Sequence, residues 1–201
     1  FSLGQTPIPS WVKERPEPED AENYQTIFAK NEGAVAAPAA GLHFSRELFN
    51  RMILKDINSA FITLHMGIGN FRNVDVEDLS KHKTDSERLI ISEETAELIN
   101  STHRKGHKVL AVGVTTAKGL ETYVTTNDEV NPYDGWTNKF IFPPYRYAIP
   151  DALVSNFHLP GSTMLMAVAA FGGFDKVMEA YRQALEGDYK FGPYGDALLI
   201  I

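Results

Sequence analysis

From Tyr24 to the C-terminus, segments that open with helix-start signals alternate with short, continuous apolar runs, and this rhythm restricts the chain more than any other feature. Ser45 precedes Arg46-Glu47-Leu48, and apolar residues recur at Leu48, Phe49, Met52 and Ile53, which predicts an N-capped amphipathic helix ending near Asp56. Ala60–Met66 (AFITLHM) predicts a buried strand. Ser92-Glu93-Glu94-Thr95 opens a second helix with an apolar face at Ala96, Leu98 and Ile99, and Lys105-Gly106 ends it. Lys108–Gly113 predicts the next strand. Further elements follow: a helix over Ala117–Val124, a strand over Ala152–Phe157, helices over Ser162–Phe171 and Phe174–Leu185, and a terminal apolar run at Ala197–Ile201. Apolar strands interleaved with helices predict an α/β fold, with a mixed or mostly parallel sheet and flanking helices. In such folds functional groups collect beyond the carboxyl edges of the strands.

Residues 1–23 stand apart. Pro7, Pro9, Pro16 and Pro18 lie among acidic residues, a pattern of a linker or surface strap, which leaves residues 24–201 as one α/β domain. With 201 residues, 43% hydrophobic and 22% charged, the chain has ample apolar material for one core. The charge balance is 19 − 26 = −7, so nucleic acid can be held only by local contacts, not by bulk charge. The absence of cysteine removes disulfides, thiolate metal sites and cysteine nucleophiles, and fits a reducing cytoplasm. No apolar run reaches the roughly 18 residues of a membrane span, and the first residues have no signal-peptide pattern. The start at Phe1-Ser2-Leu3-Gly4, without Met, leads us to expect further chain upstream.

Three stretches place a histidine beside small residues at a strand end: AAPAAGLHF at 36–44, LHMGIGNF at 64–71 and NFHLPGST at 156–163. Glycine lets a ligand approach the main chain, and imidazole donates or accepts a proton near neutral pH. Each of His43, His65 and His158 also has a purely structural reading, but their common setting suggests a shared pocket that includes Gly41, Gly67, Gly69 and Asn156. Zinc is the weaker reading of three histidines, since their neighbours are Leu, Phe and Met and no His-x-x-x-His spacing occurs; no metal is expected. Gly67-Ile68-Gly69 lacks the remaining elements of a dinucleotide fingerprint. Thr115 or Thr116 can cap the helix after Gly113, whose N-terminal amides can face an anion. The segment 82–87 reads as a polar loop, with Glu87 as a candidate catalytic carboxylate. The basic run 103–108 reads as a helix end favoured by the helix dipole. Gly135-Trp136-Thr137 and residues 140–145 place aromatic groups in a loop and a short strand; they can stack on a purine ring, but closing the core is the preferred reading of these residues alone.

In this order, AAPAAGLHF, LHMGIGNF, GWT, NFHLPGST and YGDALLI (194–200) resemble the S-adenosylmethionine:tRNA ribosyltransferase-isomerase family of queuosine biosynthesis, over residues 24–200. The resemblance implies transfer and isomerisation of the ribosyl group of S-adenosylmethionine onto 7-aminomethyl-7-deazaguanine in tRNA, giving epoxyqueuosine and releasing adenine and methionine. It implies a larger α/β domain with an inserted β-barrel, of which this chain matches the portion after the barrel. It also implies S-adenosylmethionine as co-substrate, tRNA as partner and a cytoplasmic setting. His43, His65, His158 and Glu87 then stand as catalytic candidates, with Lys118 near the methionine carboxylate and Gly41, Gly67, Gly69, Thr115, Thr116, Trp136 and Asn156 as substrate contacts. The chain departs from the family pattern at Ala39, Asn70, Asn73, Asp85 and Lys118, where Thr, Thr, Pro, His and Arg are usual. A non-catalytic nucleoside- or tRNA-binding module and a transferase with another acceptor remain the alternatives.

Overall fold

A computed structural model of the chain describes residues 6–10, 12 and 14–201, without the side chains of Asn70 and Phe71. The first four residues and the departure at Asn70 therefore lie outside the description. In chain order the elements are α1 (Asp20–Asn23), α2 (Arg46–Ile53), β1 (Thr63–His65), β2 (Glu87–Ile91), α3 (Glu93–Arg104) and β3 (Leu110–Val112). They continue with α4 (Val114–Leu120), β4 (Tyr133–Thr137), β5 (Ala152–Asn156), α5 (Thr163–Gly172), α6 (Phe174–Glu186) and β6 (Ala197–Ile200).

Serine caps set three of the helix starts. The Oγ of Ser45 accepts from Leu48 N at 3.1 Å, that of Ser92 from Thr95 N at 3.2 Å, and that of Ser162 from Leu165 N at 3.2 Å. Each satisfies an amide that the helix leaves open, an effect of about 1 kcal/mol.

The strands form two sheets of three. One, in the order β1-β2-β4, is antiparallel throughout. The other, β3-β5-β6, is mixed, with β3 parallel to β5 and β6 antiparallel to it. The α/β class and the mixed sheet thus match the sequence reading, but the strands divide between two sheets. The division arises from β2, whose charged start, Glu87-Arg88, hides an alternation in which Glu87, Leu89 and Ile91 are buried. Its register with β4 pairs Arg88 with Trp136, so GWT lies on a strand and not in a loop. Residues 140–145 form no strand.

Helix α4 joins the two cores. Val114 and Ala117 pack with Leu153, Val168 and Val177 around the mixed sheet, whereas Leu120 packs with Leu89, Ile99 and Ile149 beside the antiparallel one. The helix begins at Val114, three residues before the expected start, because Gly113 at φ +96° turns the chain directly out of β3. Thr115 and Thr116 consequently lie within the first turn and do not cap it; Thr116 Oγ1 donates to Val112 O at 2.8 Å.

Just beyond α4, buried Glu121 accepts from Ala148 N (2.9 Å), Ile149 N (2.8 Å) and the Tyr145 hydroxyl (2.8 Å), tying the 145–149 segment to the helix end. Burial and the neighbouring carboxylate hold the Tyr145 phenol above its ordinary pKa, so it remains a donor. Of the proline-rich segment, Ile8 is buried, and Tyr24 after α1 meets Tyr194 edge-on at 5.6 Å.

Candidate functional site

Because β3 and β5 run parallel, their carboxyl ends open on the same edge, and a cleft of about 580 Å³ lies there. That volume is in the range of small-molecule sites. Gly113, Val114 and Thr115 form its floor after β3, and Asn156 and His158 after β5. The facing wall is Val35–Ala40, held beside β1 by Val35 N–H donating to Met66 O at 2.9 Å; Pro7–Ser10 also borders the space. Most of the lining is Ala, Pro, Val, Ile, Leu and Met.

His158 is the histidine that lines the cleft, and its hydrogen bonds assign its tautomer. Ser155 Oγ lies 3.0 Å from Asn156 O and 2.9 Å from His158 Nε2. A carbonyl only accepts, so the single hydroxyl proton goes to Asn156 O and Nε2–H donates to Oγ. Nδ1 is left as the acceptor. Burial pushes the imidazole pKa down to about 4, so the ring is neutral at physiological pH. The backbone N–H of His158 donates to the Tyr181 hydroxyl at 2.8 Å, fixing the chain at that point.

Asn156 is almost completely buried. Its Nδ2 donates to Gly192 O at 2.9 Å and Gly195 O at 3.2 Å, while Oδ1 has no partner. The loop it holds is closed on itself by Asp196 N–H to Lys190 O (2.8 Å) and Lys190 N–H to Asp196 Oδ2 (2.7 Å). At Gly195 a Cβ would strike the backbone of Lys190 and Phe191, which is why YGDA needs its glycine.

The other candidates sit elsewhere. Met66 lines the cleft, and side chains alternate along a strand, so His65 faces the other way, against Gly33. His43 ends the 3₁₀ turn Ala39–His43, of which Ala39 and Ala40 border the cleft and His43 does not. In that turn Gly41 makes room for the Phe28 ring, 2.6 Å from where a Cβ would stand.

Glu87 and Lys118 form a nearly buried ion pair, with side chains 1% and 13% exposed, and Glu87 Oε1 also accepts from Gly67 N at 3.1 Å. The pair ties the Gly67 turn to α4, and neither of its side chains lines the cleft. Lys118 borders a narrow slit beside the cleft, together with Thr84, Lys139 and Thr115, the last of which lines both spaces. Burial lowers the pKa of Lys139, whose ammonium donates to Glu121 O at 2.6 Å.

Gly69 leaves space for the Asp85 carboxylate, while nothing stands within 4 Å of a Cβ at Gly67. Trp136 is 62% exposed and is not part of the cleft wall. In the basic run, His103 Nε2 lies 3.0 Å from Asp151 Oδ2, and Arg104 pairs with Glu129 at 3.1 Å, as suits a helix end.

Among the described residues, no group of three or more His, Cys, Asp and Glu side chains is placed to hold a metal ion, and no helix is long and apolar enough to cross a membrane. Sequence reasoning overlooked Ser155, which sits in an apolar strand, and Arg72, which follows the Gly67-Ile68-Gly69 turn. Their nearest signals are a lone hydroxyl three residues before the strand-end histidine and a lone cation after a glycine-rich turn.

Comparison with known proteins follows the same segments. The family model described as queuosine biosynthesis protein matches residues 1–200. The S-adenosylmethionine:tRNA ribosyltransferase-isomerase of Phocaeicola vulgatus is 55% identical over 201 residues, covering 100% of this chain and 57% of that protein. Its counterpart from Staphylococcus haemolyticus is 45% identical, covering 99% of this chain and 58% of that protein. A crystal structure of S-adenosylmethionine tRNA ribosyltransferase from Thermotoga maritima superposes with a TM-score of 0.67 at 41% identity, over 81% of this chain and 51% of that one. The chain thus spans little more than half the length of these relatives.

Proposed function

The chain belongs to the queuosine biosynthesis protein family, and from that premise we propose that it supplies the S-adenosylmethionine cleft of a cytoplasmic tRNA ribosyltransferase-isomerase. The reaction moves the ribosyl group of S-adenosylmethionine onto 7-aminomethyl-7-deazaguanine in tRNA, isomerises it to give epoxyqueuosine, and releases adenine and methionine. The observation that carries this reading is the cleft at the carboxyl ends of β3 and β5, with its apolar wall and neutral His158.

The apolar wall keeps water from a reactive ribosyl intermediate. His158 Nδ1, oriented by the bond from Nε2–H to Ser155, accepts a hydrogen bond from the ribose or the departing base. Gly113, at the start of α4, lets the ligand meet the main chain, and Thr115 and Asn156 contact it from the floor. Glu87 and Lys118 act by positioning the Gly67–Gly69 turn, not as base and carboxylate ligand. Exposed Trp136 stacks on a tRNA base outside the cleft.

The test is calorimetric titration of the chain with S-adenosylmethionine, followed by adenine release from the longer protein with tRNA. Binding with release supports the reading. Binding without release makes the chain a nucleoside-binding module, and no binding overturns the assignment of the cleft. No metal takes part in this scheme; stoichiometric zinc by elemental analysis, with adenine release lost on chelation, would refute that part.

A further inference from the structure

Among the described residues that line the cleft, Arg72 is the one formally charged side chain, and it carries no buried partner. It faces Asp85 across 3.6 Å, in a loose pair whose side chains are 70% and 51% exposed. The main chain fixes the Arg72 segment. Arg72 N–H donates to Gly69 O at 3.1 Å, and two residues on, Val74 N–H donates to Gly161 O at 2.9 Å, which fastens the segment to the turn before α5. Asp85 lies against Gly69, where a Cβ would occupy its space. The wall of the apolar cleft therefore presents the Arg72 guanidinium, with the Asp85 carboxylate 3.6 Å from it.

We propose that Arg72 and Asp85 form the subsite for the amino-acid end of the co-substrate, Arg72 holding the α-carboxylate and Asp85 the α-ammonium. An α-amino acid carries opposite charges on one carbon, which matches a cation and an anion set this close together. The exposed pair gives up little when it exchanges its own contact for the ligand's charges. The guanidinium fork suits a carboxylate. Lys118, the cation singled out by sequence, is already engaged by Glu87. The inference rests on the cleft binding S-adenosylmethionine and names the residues that read one end of it.

The experiment is calorimetric titration of the chain with three ligands: S-adenosylmethionine, its decarboxylated form, and 5′-methylthioadenosine, which lacks the whole amino-acid end. The wild type should bind S-adenosylmethionine about tenfold tighter than the decarboxylated form. Arg72→Ala should abolish that preference while leaving 5′-methylthioadenosine within about twofold. Arg72→Gln, which keeps the aliphatic stem, should do the same, and an unchanged melting temperature separates either effect from unfolding. Asp85→Asn should weaken both ligands that carry the ammonium by about threefold and spare 5′-methylthioadenosine. If all three ligands bind the wild type equally, or if either Arg72 variant weakens all three alike, the subsite is refuted while nucleoside binding in the cleft stands. If none of the three binds, both the subsite and the reading beneath it fall.

Discussion

The depressed pKa of His158 makes stability fall on acidification in a window this one side chain defines. The imidazole is neutral in the fold down to about pH 4, whereas in the unfolded chain it protonates around its ordinary value of 6.5. Between those values the unfolded state binds the extra proton, so the stabilisation is fully present above pH 6.5 and is lost as pH falls toward 4. Linkage gives a loss of about 1–2 kcal/mol near pH 5.5 and about 2–3 kcal/mol near pH 4.5, relative to pH 8. His158→Gln retains a polar group for Ser155 and removes the titration. Urea unfolding of both proteins across this pH range isolates the term, because every other titrating group is common to the pair. The wild-type curve should descend toward the variant's, closing the gap by those amounts. Curves that stay parallel within about 0.5 kcal/mol would mean that the ring is solvated and that its place in the cleft is wrong.

Three further outcomes follow from the same contacts. Lys118→Met and Glu87→Gln should each cost about 3–5 kcal/mol in urea unfolding, and the double variant should cost clearly less than their sum; additive losses would show that the pair is not coupled. Gly195→Ala should destabilise by about 2 kcal/mol or more because its Cβ meets backbone, whereas Gly67→Ala, with open space around it, should stay within about 0.5 kcal/mol; equal melting temperatures for the two would contradict the loop geometry. With a net charge of −7, this chain alone should bind tRNA weakly and with a shallow salt slope by fluorescence anisotropy, and a longer protein that includes the rest of the relatives' length should bind more tightly and more steeply; identical slopes would show that the local basic stretches suffice.

The helices were legible because their signals are local. Ser45, Ser92 and Ser162 cap helices within a residue of where the pattern places them, and Gly106 follows the end of α3. Strand β2 was not legible, because its buried positions include a carboxylate, and a rule that equates burial with apolar residues passes over Glu87. What buries Glu87 is Lys118, 31 residues away, and no local pattern announces such a partner. The same reason kept Glu121 out of view as the anchor of the 145–149 segment.

The histidines show where strand-end reasoning reaches and where it stops. It locates a Cα at the sheet edge and says nothing of the direction of the side chain. One residue of strand alternation turns His65 away and brings Met66 into the cleft, whereas His158, two residues beyond β5, turns in. The charged candidates divide by a related principle. Glu87 and Glu121 are buried and Lys118 nearly so, and burial is tolerated only when each charge is met by its opposite or by several donors, so the core engages all three. Arg72 stays exposed, is paired only loosely, and remains available. Where Arg72 borders the cleft its charge is met by Asp85 at 3.6 Å, so an exposed ion pair and not a lone cation stands there, and a ligand end that carries both signs can exchange with it.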